Sequence, residues 1–475
     1  MIRRILLAYP PSRPMIREDR CPQLIGSGVL APALPPTDLL YLAAIAEQQG
    51  CECLVRDYSR EGGTKTDFVN DLLLFRPDCL VLNATTPTLD TDLSLCETAK
   101  ELLPGVLTIA KGAHFLRYSL ETMERHPRLD MIIRGESEET FRDIVRGGEQ
   151  AGVPGLVWRG PAGAVLNPDR PFLDDLDSLP FPSRHLIDNR RYMRPDTRQP
   201  LGIIKVSRGC PYHCFYCLAT PVSGRVVRKR SPANILAEVR QCVEQHGIRH
   251  FIFWADHFTF DGRWVLDLCK TFINADLGIT WSANARADTI DREMVQAMKR
   301  AGCKAVSIGI ESGSQDILDR TGKGITLGRI RQAVRLLKDA QLTTLGYFLF
   351  GLPWETRESS EETIRFSLEL DCDYANFFIA APFPGTRYYE YALKNDWLDI
   401  HGSDHAALFG GAFCSTIVPG HNLSGAEIDE IRRSAFRQFY GRPSYVMRQL
   451  MRVRSMQQLS STIKAGLTIL VSNES

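Results

Sequence analysis

The chain has 475 residues, 44% hydrophobic and 24% charged, with 57 Lys and Arg set against 56 Asp and Glu. That length divides into two or three domains, and the composition is that of a soluble globular protein rather than a disordered one. A formal charge of +1 gives no basic field that would favour nucleic acid.

The opening MIRRILLAY runs straight into Pro10-Pro11 with no small-residue cleavage site, which predicts a buried first strand rather than a signal peptide. No run of 18 apolar residues follows anywhere, so no segment is expected to span a bilayer. Thirteen scattered cysteines are not a secreted disulfide framework. Ten of them lie singly or at spacings such as Cys51/Cys53 and read as small buried hydrophobes. Three crowd together, and the expected setting is a reducing cytoplasm.

Residues 1–150 alternate β-branched runs with helical patterns. Strands are predicted at Arg4–Tyr9, Glu52–Asp57, Cys79–Asn83, Val106–Ala110 and Met131–Arg134. Helices are predicted near Asp38–Gln49, Thr66–Phe75, Asp90–Leu103, Leu116–Arg125 and Glu138–Arg146. This spacing specifies a doubly wound α/β domain, which binds ligands beyond the carboxyl ends of its strands. Residues 151–200 break the rhythm. A hairpin is predicted from Val153–Arg159 and Ala164–Asn167, then a Pro- and Asp-rich connector that straps a domain surface.

Alternation resumes over residues 201–390. Strands begin near Gly202, His250, Ile279, Cys303, Leu342 and Asp373, with helices at Ser231–Gln245, Gly262–Asn274, Asp291–Ala301, Thr326–Ala340 and Glu361–Leu370. Ser231-Pro232 is a cap followed by proline at the first helical position. Six strand–helix units predict a partial or full β/α barrel, with functional residues at its carboxyl strand ends. Residues 391–475 lose the pattern and read as a helical C-terminal region. From 431 onward they carry eight Lys/Arg and one acid, Glu474. A solvated basic helix face is one reading, and a peripheral membrane contact or an anionic substrate the other.

The strongest local signal is SRGCPYHCFYCLA (Ser207–Ala219), which places Cys210, Cys214 and Cys217 as C-x3-C-x2-C directly after an apolar run. Thiolates are soft ligands suited to iron–sulfur clusters, and three of them on four irons leave one iron open. The alternatives are chance and zinc. Zinc wants a fourth nearby ligand, and His213 inside the tight loop is awkwardly placed for it.

This spacing after a first barrel strand, with Tyr216 just before the last cysteine, resembles the radical S-adenosylmethionine (SAM) superfamily. The resemblance implies that the open iron chelates SAM and that electron transfer cleaves it to a 5′-deoxyadenosyl radical. It extends over Asp174–Thr386, strand end by strand end. Phe251–Asp261 resembles the acidic second segment, with Asp256 the matching acid and His257 where a second acid or Asn is usual. Trp281–Asp288 offers Arg286, and Ser307–Gln315 offers Glu311 and Ser312 facing the pocket. Tyr347–Thr356 and Ala381–Thr386 complete the series. Asp256, Arg286, Glu311, Ser312 and Tyr216 are thereby the expected SAM contacts. Taken alone, a strand-end carboxylate is better explained by solvation or helix capping; read in order at barrel spacing, the segments support one another.

The first domain resembles the cobalamin-binding domain of the B12-dependent radical SAM class. The segments that carry the likeness are Tyr9–Pro11, Leu34–Ala44, Asn83–Thr88, Ala110–Phe115 and Arg134–Phe141. Thr85, Thr86, Gly112, Ala113, His114, Gly135 and Glu136 are the expected corrin contacts, the small residues permitting close backbone approach. No Asp-x-His-x-x-Gly motif is present, so histidine ligation of cobalt from below is not implied, and His114 also reads as a turn histidine. A degenerate flavodoxin-like domain without cobalamin is the bland alternative.

The resemblance implies a methyltransferase acting on an unactivated carbon of a small-molecule, lipid or natural-product substrate. A flavodoxin or ferredoxin is the expected electron donor. The same cofactors could serve cyclisation, oxidation or rearrangement, as in the anaerobic magnesium-protoporphyrin cyclase branch. A methylthiotransferase acting on RNA would need a second cysteine cluster in the first domain, and Cys21, Cys51, Cys53, Cys79 and Cys96 do not form one. An electron carrier or cobalamin-binding regulator would not need the later barrel motifs.

Overall fold

A computed structural model describes residues 2–12, 15–17, 23–24, 34–194, 197–398 and 422–452. In the first domain, β1 (Arg4–Tyr9), β2 (Glu52–Asp57), β3 (Cys79–Asn83), β4 (Leu107–Lys111) and β5 (Met131–Ile133) pair in parallel in the order β2-β1-β3-β4-β5. The side chains of β1 and β3 are almost continuously buried, as a sheet covered on both faces requires, while those of edge strand β2 alternate. Helices α1 (Thr37–Glu47), α2 (Lys65–Phe75), α3 (Leu89–Leu102), α4 (Phe115–Arg125) and α5 (Ser137–Val145) cover it with two separate apolar layers.

The predicted hairpin forms as β6 (Leu156–Gly160) and β7 (Gly163–Leu166). It extends the same sheet antiparallel beyond β5. The order 2-1-3-4-5 reverses direction between β1 and β3, and a doubly wound sheet opens its ligand crevice at such a reversal.

The second domain contains β8 (Leu201–Lys205), β9 (His250–Trp254), β10 (Thr280–Ala285), β11 (Cys303–Glu311), β12 (Thr343–Phe350) and β13 (Tyr374–Ile379). All six are parallel and in sequential order. Helices α6 (Pro232–His246), α7 (Gly262–Ala275), α8 (Arg292–Arg300), α9 (Leu327–Asp339) and α10 (Arg357–Leu370) return the chain between them. β8 and β13 do not pair, so the barrel is partial and has two open edges.

Both edges are covered by side chains, which removes unpaired backbone that would otherwise recruit another strand. On β8 the carbonyls of Ile203 and Lys205 accept from Arg184 at 2.8 Å and Arg230 at 3.1 Å. Both arginines close on fully buried Glu238. Burial alone would raise that carboxyl, but the two guanidiniums outweigh it and hold it low. On β13 the Tyr440 hydroxyl accepts from Ala375 N at 3.0 Å and donates to Ala375 O at 2.7 Å. Tyr440 ends α12 (Gly425–Tyr440), which buries Ile428, Ile431, Ala435 and Phe439; α11 (Arg387–Lys394) precedes it.

The connector binds both domains rather than one surface. Ser183 N donates to Leu40 O at 3.1 Å and His185 pairs with Glu47, while the Asp177 carboxylate accepts from Ser231 N at the start of α6. Of the ten isolated cysteines, eight are buried, and Cys21 and Cys414 lie outside the described residues. The basic tail beyond Arg452 lies outside them too.

Candidate functional site

Past β8, Ser207–Arg208 pairs antiparallel with Arg228–Lys229, and the loop between them carries Cys210, Cys214 and Cys217, all half-buried. Its shape is set by bonds to every neighbour. Gly209 N donates to Asp256 Oδ2 at 2.6 Å, Cys210 N to Gly224 O at 3.0 Å and Cys217 N to Cys214 O at 3.1 Å. Phe215 is the apolar anchor, 3% exposed, with its ring 4.7 Å from Trp354 and 5.1 Å from Tyr388. Its backbone bonds to Thr321 O and Tyr388 N, both at 2.8 Å.

Among the described residues no three His, Cys, Asp or Glu side chains converge on one metal ion. A cluster does not ask them to, since each cysteine takes a different iron. Three sulfur donors on one constrained loop fit that group. Burial pushes the Cys210 thiol up, and Arg286 is among the groups that oppose the shift. His213, the candidate fourth zinc ligand, points into solvent.

The barrel strand ends surround this loop. Glu311 closes β11 with φ at +69°, next to a register slip against β12 between Gly309 and Glu311. A non-glycine residue in that region stores about 1–3 kcal/mol of strain, which persists where the surroundings fix it. Here Lys323 does so, its Nζ 2.5 Å from Glu311 Oε1 and 2.8 Å from Gly309 O. The Tyr216 hydroxyl bonds to the same carboxylate, and burial with that charge raises the phenol well above its ordinary range. Arg286 is bidentate to Asp288, both bonds 3.0 Å, donates to Lys323 O at 2.7 Å and lies 3.5 Å over the Tyr212 ring inside the loop.

Ser312 does not face the pocket as expected. It is fully buried with its hydroxyl 3.1 Å from Thr363 Oγ1 and accepting from Ser314 N, so it fastens the strand end to α10. Successive strand residues point to opposite sides, and only Glu311 of the two is directed at the loop.

His257, beside Asp256, is also part of this wall. It is 2% exposed, its ring is 5.5 Å from Tyr212, and its Nδ1 is buried with no hydrogen-bond partner. Burial pulls its pKa down to about 4, which keeps the ring neutral. The sequence marks its position, where the resemblance puts a second acid or Asn, without giving the histidine a role.

At the first domain's strand ends, Asp38 is the centre of a buried network. It accepts from Asn83 Nδ2 and from Lys111 Nζ, each at 2.7 Å, and from the Tyr9 hydroxyl. Burial would raise Asp38, but Lys111 and, from across the interface, Lys205 outweigh it and hold it below the ordinary carboxylate range. Thr85, Thr86 and His114 are buried together, Thr86 Oγ1 3.3 Å from His114 Nδ1, with Ala113 half-buried beside them.

Two expected corrin contacts have other work. At Gly112 (φ +149°) a Cβ would lie 2.1 Å from Ala84 O, so this glycine serves the approach of β4 to the chain after β3. Glu136 is spent on Arg228, at 2.8 and 2.9 Å, on Leu173 N at 2.9 Å and on Arg208 at 3.3 Å. Gly135 (φ +71°) has open space where a Cβ would stand.

Some of these residues, from both domains, line one cleft. Asp38, Lys111 and Gly135–Glu138 line it from the first domain, and Lys205, Ser207, Arg208, Val222, Trp254 and Asp256 from the barrel. Buried Ser207 Oγ on this wall and Asn83 Oδ1 beside Asp38 have no partner, which suits a polar ligand. The free space is about 60 Å³, enough for water or a small group.

Residues 204–367 match the radical SAM superfamily and residues 25–145 the B12 binding domain. An uncharacterised methyltransferase of Pyrococcus horikoshii is 31% identical over 454 residues, covering 94% of this chain and 95% of that protein. The anaerobic magnesium-protoporphyrin IX monomethyl ester cyclase of Rubrivivax gelatinosus is 28% identical over 370 residues, 76% of this chain and 66% of the cyclase. Among solved structures, TsrM, a radical SAM methyltransferase of Kitasatospora setae with cobalamin and a 4Fe–4S cluster bound, superposes with a TM-score of 0.68. The match covers 84% of this chain and 79% of TsrM at 18% identity, and shows a shared fold.

Proposed function

This chain belongs to the radical SAM superfamily and carries a B12-binding domain, and from that premise we propose that it methylates an unactivated carbon of a small-molecule substrate. Its cofactors are a 4Fe–4S cluster, SAM and cobalamin. When bound, the cluster and SAM supply a 5′-deoxyadenosyl radical and cobalamin supplies the methyl group. The single observation that carries the reading is the common cleft, lined by strand ends of both domains.

Cys210, Cys214 and Cys217 hold the cluster, and Asp256 fastens the backbone just before the first of them. Glu311, fixed by Lys323 and Tyr216, faces SAM, while Arg286 braces the loop through Tyr212. Val222 and Trp254 form apolar wall between the two sites and exclude water from a radical. Asn83, Thr85, Thr86 and Ala113, near the β1/β3 reversal, and Gly135 at the end of β5 face the corrin. A macrocycle needs several hundred Å³, so the cleft between these residues would have to widen to admit one.

A flavodoxin or ferredoxin supplies electrons in the cytoplasm; no described helix is long and apolar enough to cross a membrane. The basic C-terminal region is a candidate for peripheral membrane contact. The test uses SAM labelled in its methyl group, with reductant and a panel of extracts as substrate source. The label should enter a product, with S-adenosylhomocysteine and 5′-deoxyadenosine formed in comparable amounts. Release of 5′-deoxyadenosine alone, with no labelled product, would reject methyl transfer and leave a cyclase-like reaction, the activity named for the Rubrivivax relative.

A further inference from the structure

Arg208 stands two residues before Cys210, and Arg228 is its partner across the short ribbon that closes the cysteine loop. Both guanidiniums are largely buried. The ion pairs the structure records for them all run to the other domain, to residues at the start of α5. Glu136 takes Arg228 in two bonds and Arg208 in a third. Glu138 takes Arg208 in a fork, with one arm 3.2 Å long. Burial would raise the Glu138 carboxyl, yet Arg208 and Lys205 hold it down to about 2, so the charge persists across the physiological range. Connector residues lock the same ribbon. Leu173 O accepts from Arg228 at 2.7 Å, and Phe172 lies 5.0 Å beneath its guanidinium.

We propose that Glu136 and Glu138 are positioning residues for the iron–sulfur loop: the B12 domain holds the strand leading into the first cysteine and cancels the positive charge beside the cluster. This rests on the cluster assignment above. It separates these two acids from the corrin contacts around them, because their oxygens already bond to barrel and connector residues. It also makes the cluster's electron affinity depend on how the first domain is docked. A buried arginine stripped of its counter-charge favours the reduced, more negative cluster, so loosening the clamp raises the reduction potential and weakens the drive to cleave SAM.

The experiment is a redox titration followed by electron paramagnetic resonance on the reconstituted full chain, wild type against Glu138→Gln, with iron and cobalamin counted after desalting. Gln keeps the shape and one acceptor but removes the charge. Iron and cobalamin contents should match wild type, the midpoint potential should rise, and 5′-deoxyadenosine formation should slow several-fold. Adding Arg208→Gln should return the potential toward wild type, a rescue that a purely packing role would not give. The swap Glu136→Arg with Arg228→Glu should likewise outperform either single change in iron retention. Loss of cobalamin with an unmoved potential would make Glu138 a corrin contact and overturn the proposal. An unmoved potential with full cofactor content would overturn it as well. Wild-type protein that assembled no cluster would instead reject the cluster assignment itself.

Discussion

The two sheets present their carboxyl ends to one cleft but use their polar residues differently. At the barrel ends, Asp256, Arg286 and Glu311 converge on the loop that carries Tyr216 and the three cysteines. At the first domain's ends, Asp38, Lys111, Asn83 and Tyr9 bond to one another, and Glu136 and Glu138 bond to the barrel. One set is arranged around chemistry that arrives with cofactors. The other holds itself together and grips its neighbour. Stability and activity should therefore separate between the two sets.

The largest expected effect is at the loop. Cys210→Ala, Cys214→Ala or Cys217→Ala should abolish 5′-deoxyadenosine formation, assayed anaerobically with reductant, while thermal unfolding stays near wild type. The thiols are half-buried and the loop's shape rests on Phe215 and Asp256 instead. A triple variant that still cleaved SAM would end the cluster assignment.

That loop was legible because three soft ligands at fixed spacing carry their chemistry in local sequence. The strands and helices were legible for a related reason: burial on one or both faces imposes a period. Strands β1, β2 and β3 fall at the residues their apolar runs indicate. Helix α10 starts a turn earlier than the periodicity suggests, because Thr356 forms a capping box with Ser359. What the sequence did not reveal is paired over long range. Glu136 and Arg228 are 92 residues apart, and Tyr440 reaches Ala375 across 65. No local pattern marks either contact, and a glutamate in a strand-end motif reads as a ligand contact until its partner is seen.

The next effect belongs to the self-paired set. Lys111→Met should cost about 3–5 kcal/mol in urea unfolding at pH 7, the usual penalty for stranding one member of a buried pair. Asp38 is depressed in the folded state, so the stability it contributes is present above its unfolded pKa and lost as pH falls through the folded one. In the variant the folded pKa moves up, and the deficit against wild type should shrink between pH 7 and pH 4. A constant deficit across that range would assign the loss to packing instead.

A smaller effect is expected at Glu355, after β12. Its Oε2 accepts from Gly351 N at 2.6 Å and Leu352 N at 3.2 Å, and burial pushes the carboxyl up to about 7. An acid raised on folding is protonated more in the folded chain than in the unfolded one. Stability should therefore fall as pH rises from about 4.5 to about 7 and then level off. Glu355→Gln keeps an acceptor for the loop and removes the titration. The variant should be more stable than wild type at pH 8, by about 1–3 kcal/mol, and lose this advantage at pH 4. Parallel profiles for the two proteins would show that the carboxyl titrates normally.

The smallest effect is the sharpest test of the division, because it compares adjacent residues on one strand end. Ser312 is sealed against Thr363 and Ser314, whereas Glu311 is turned toward the cysteine loop by its left-handed backbone. Ser312→Ala removes a hydroxyl whose partners are side-chain and backbone groups of the same domain, a loss of about 1 kcal/mol. It should shift the unfolding midpoint slightly and leave SAM affinity unchanged in equilibrium binding. Glu311→Gln should weaken SAM binding about tenfold, because charge-assisted bonds are roughly twice as strong as neutral ones. It also leaves buried Lys323 without its counter-charge, so it should lower stability as Lys111→Met does. Should Ser312→Ala weaken SAM binding as much as Glu311→Gln does, the pocket would reach behind β11, and the strand-end geometry would not be what separates a ligand contact from a structural one.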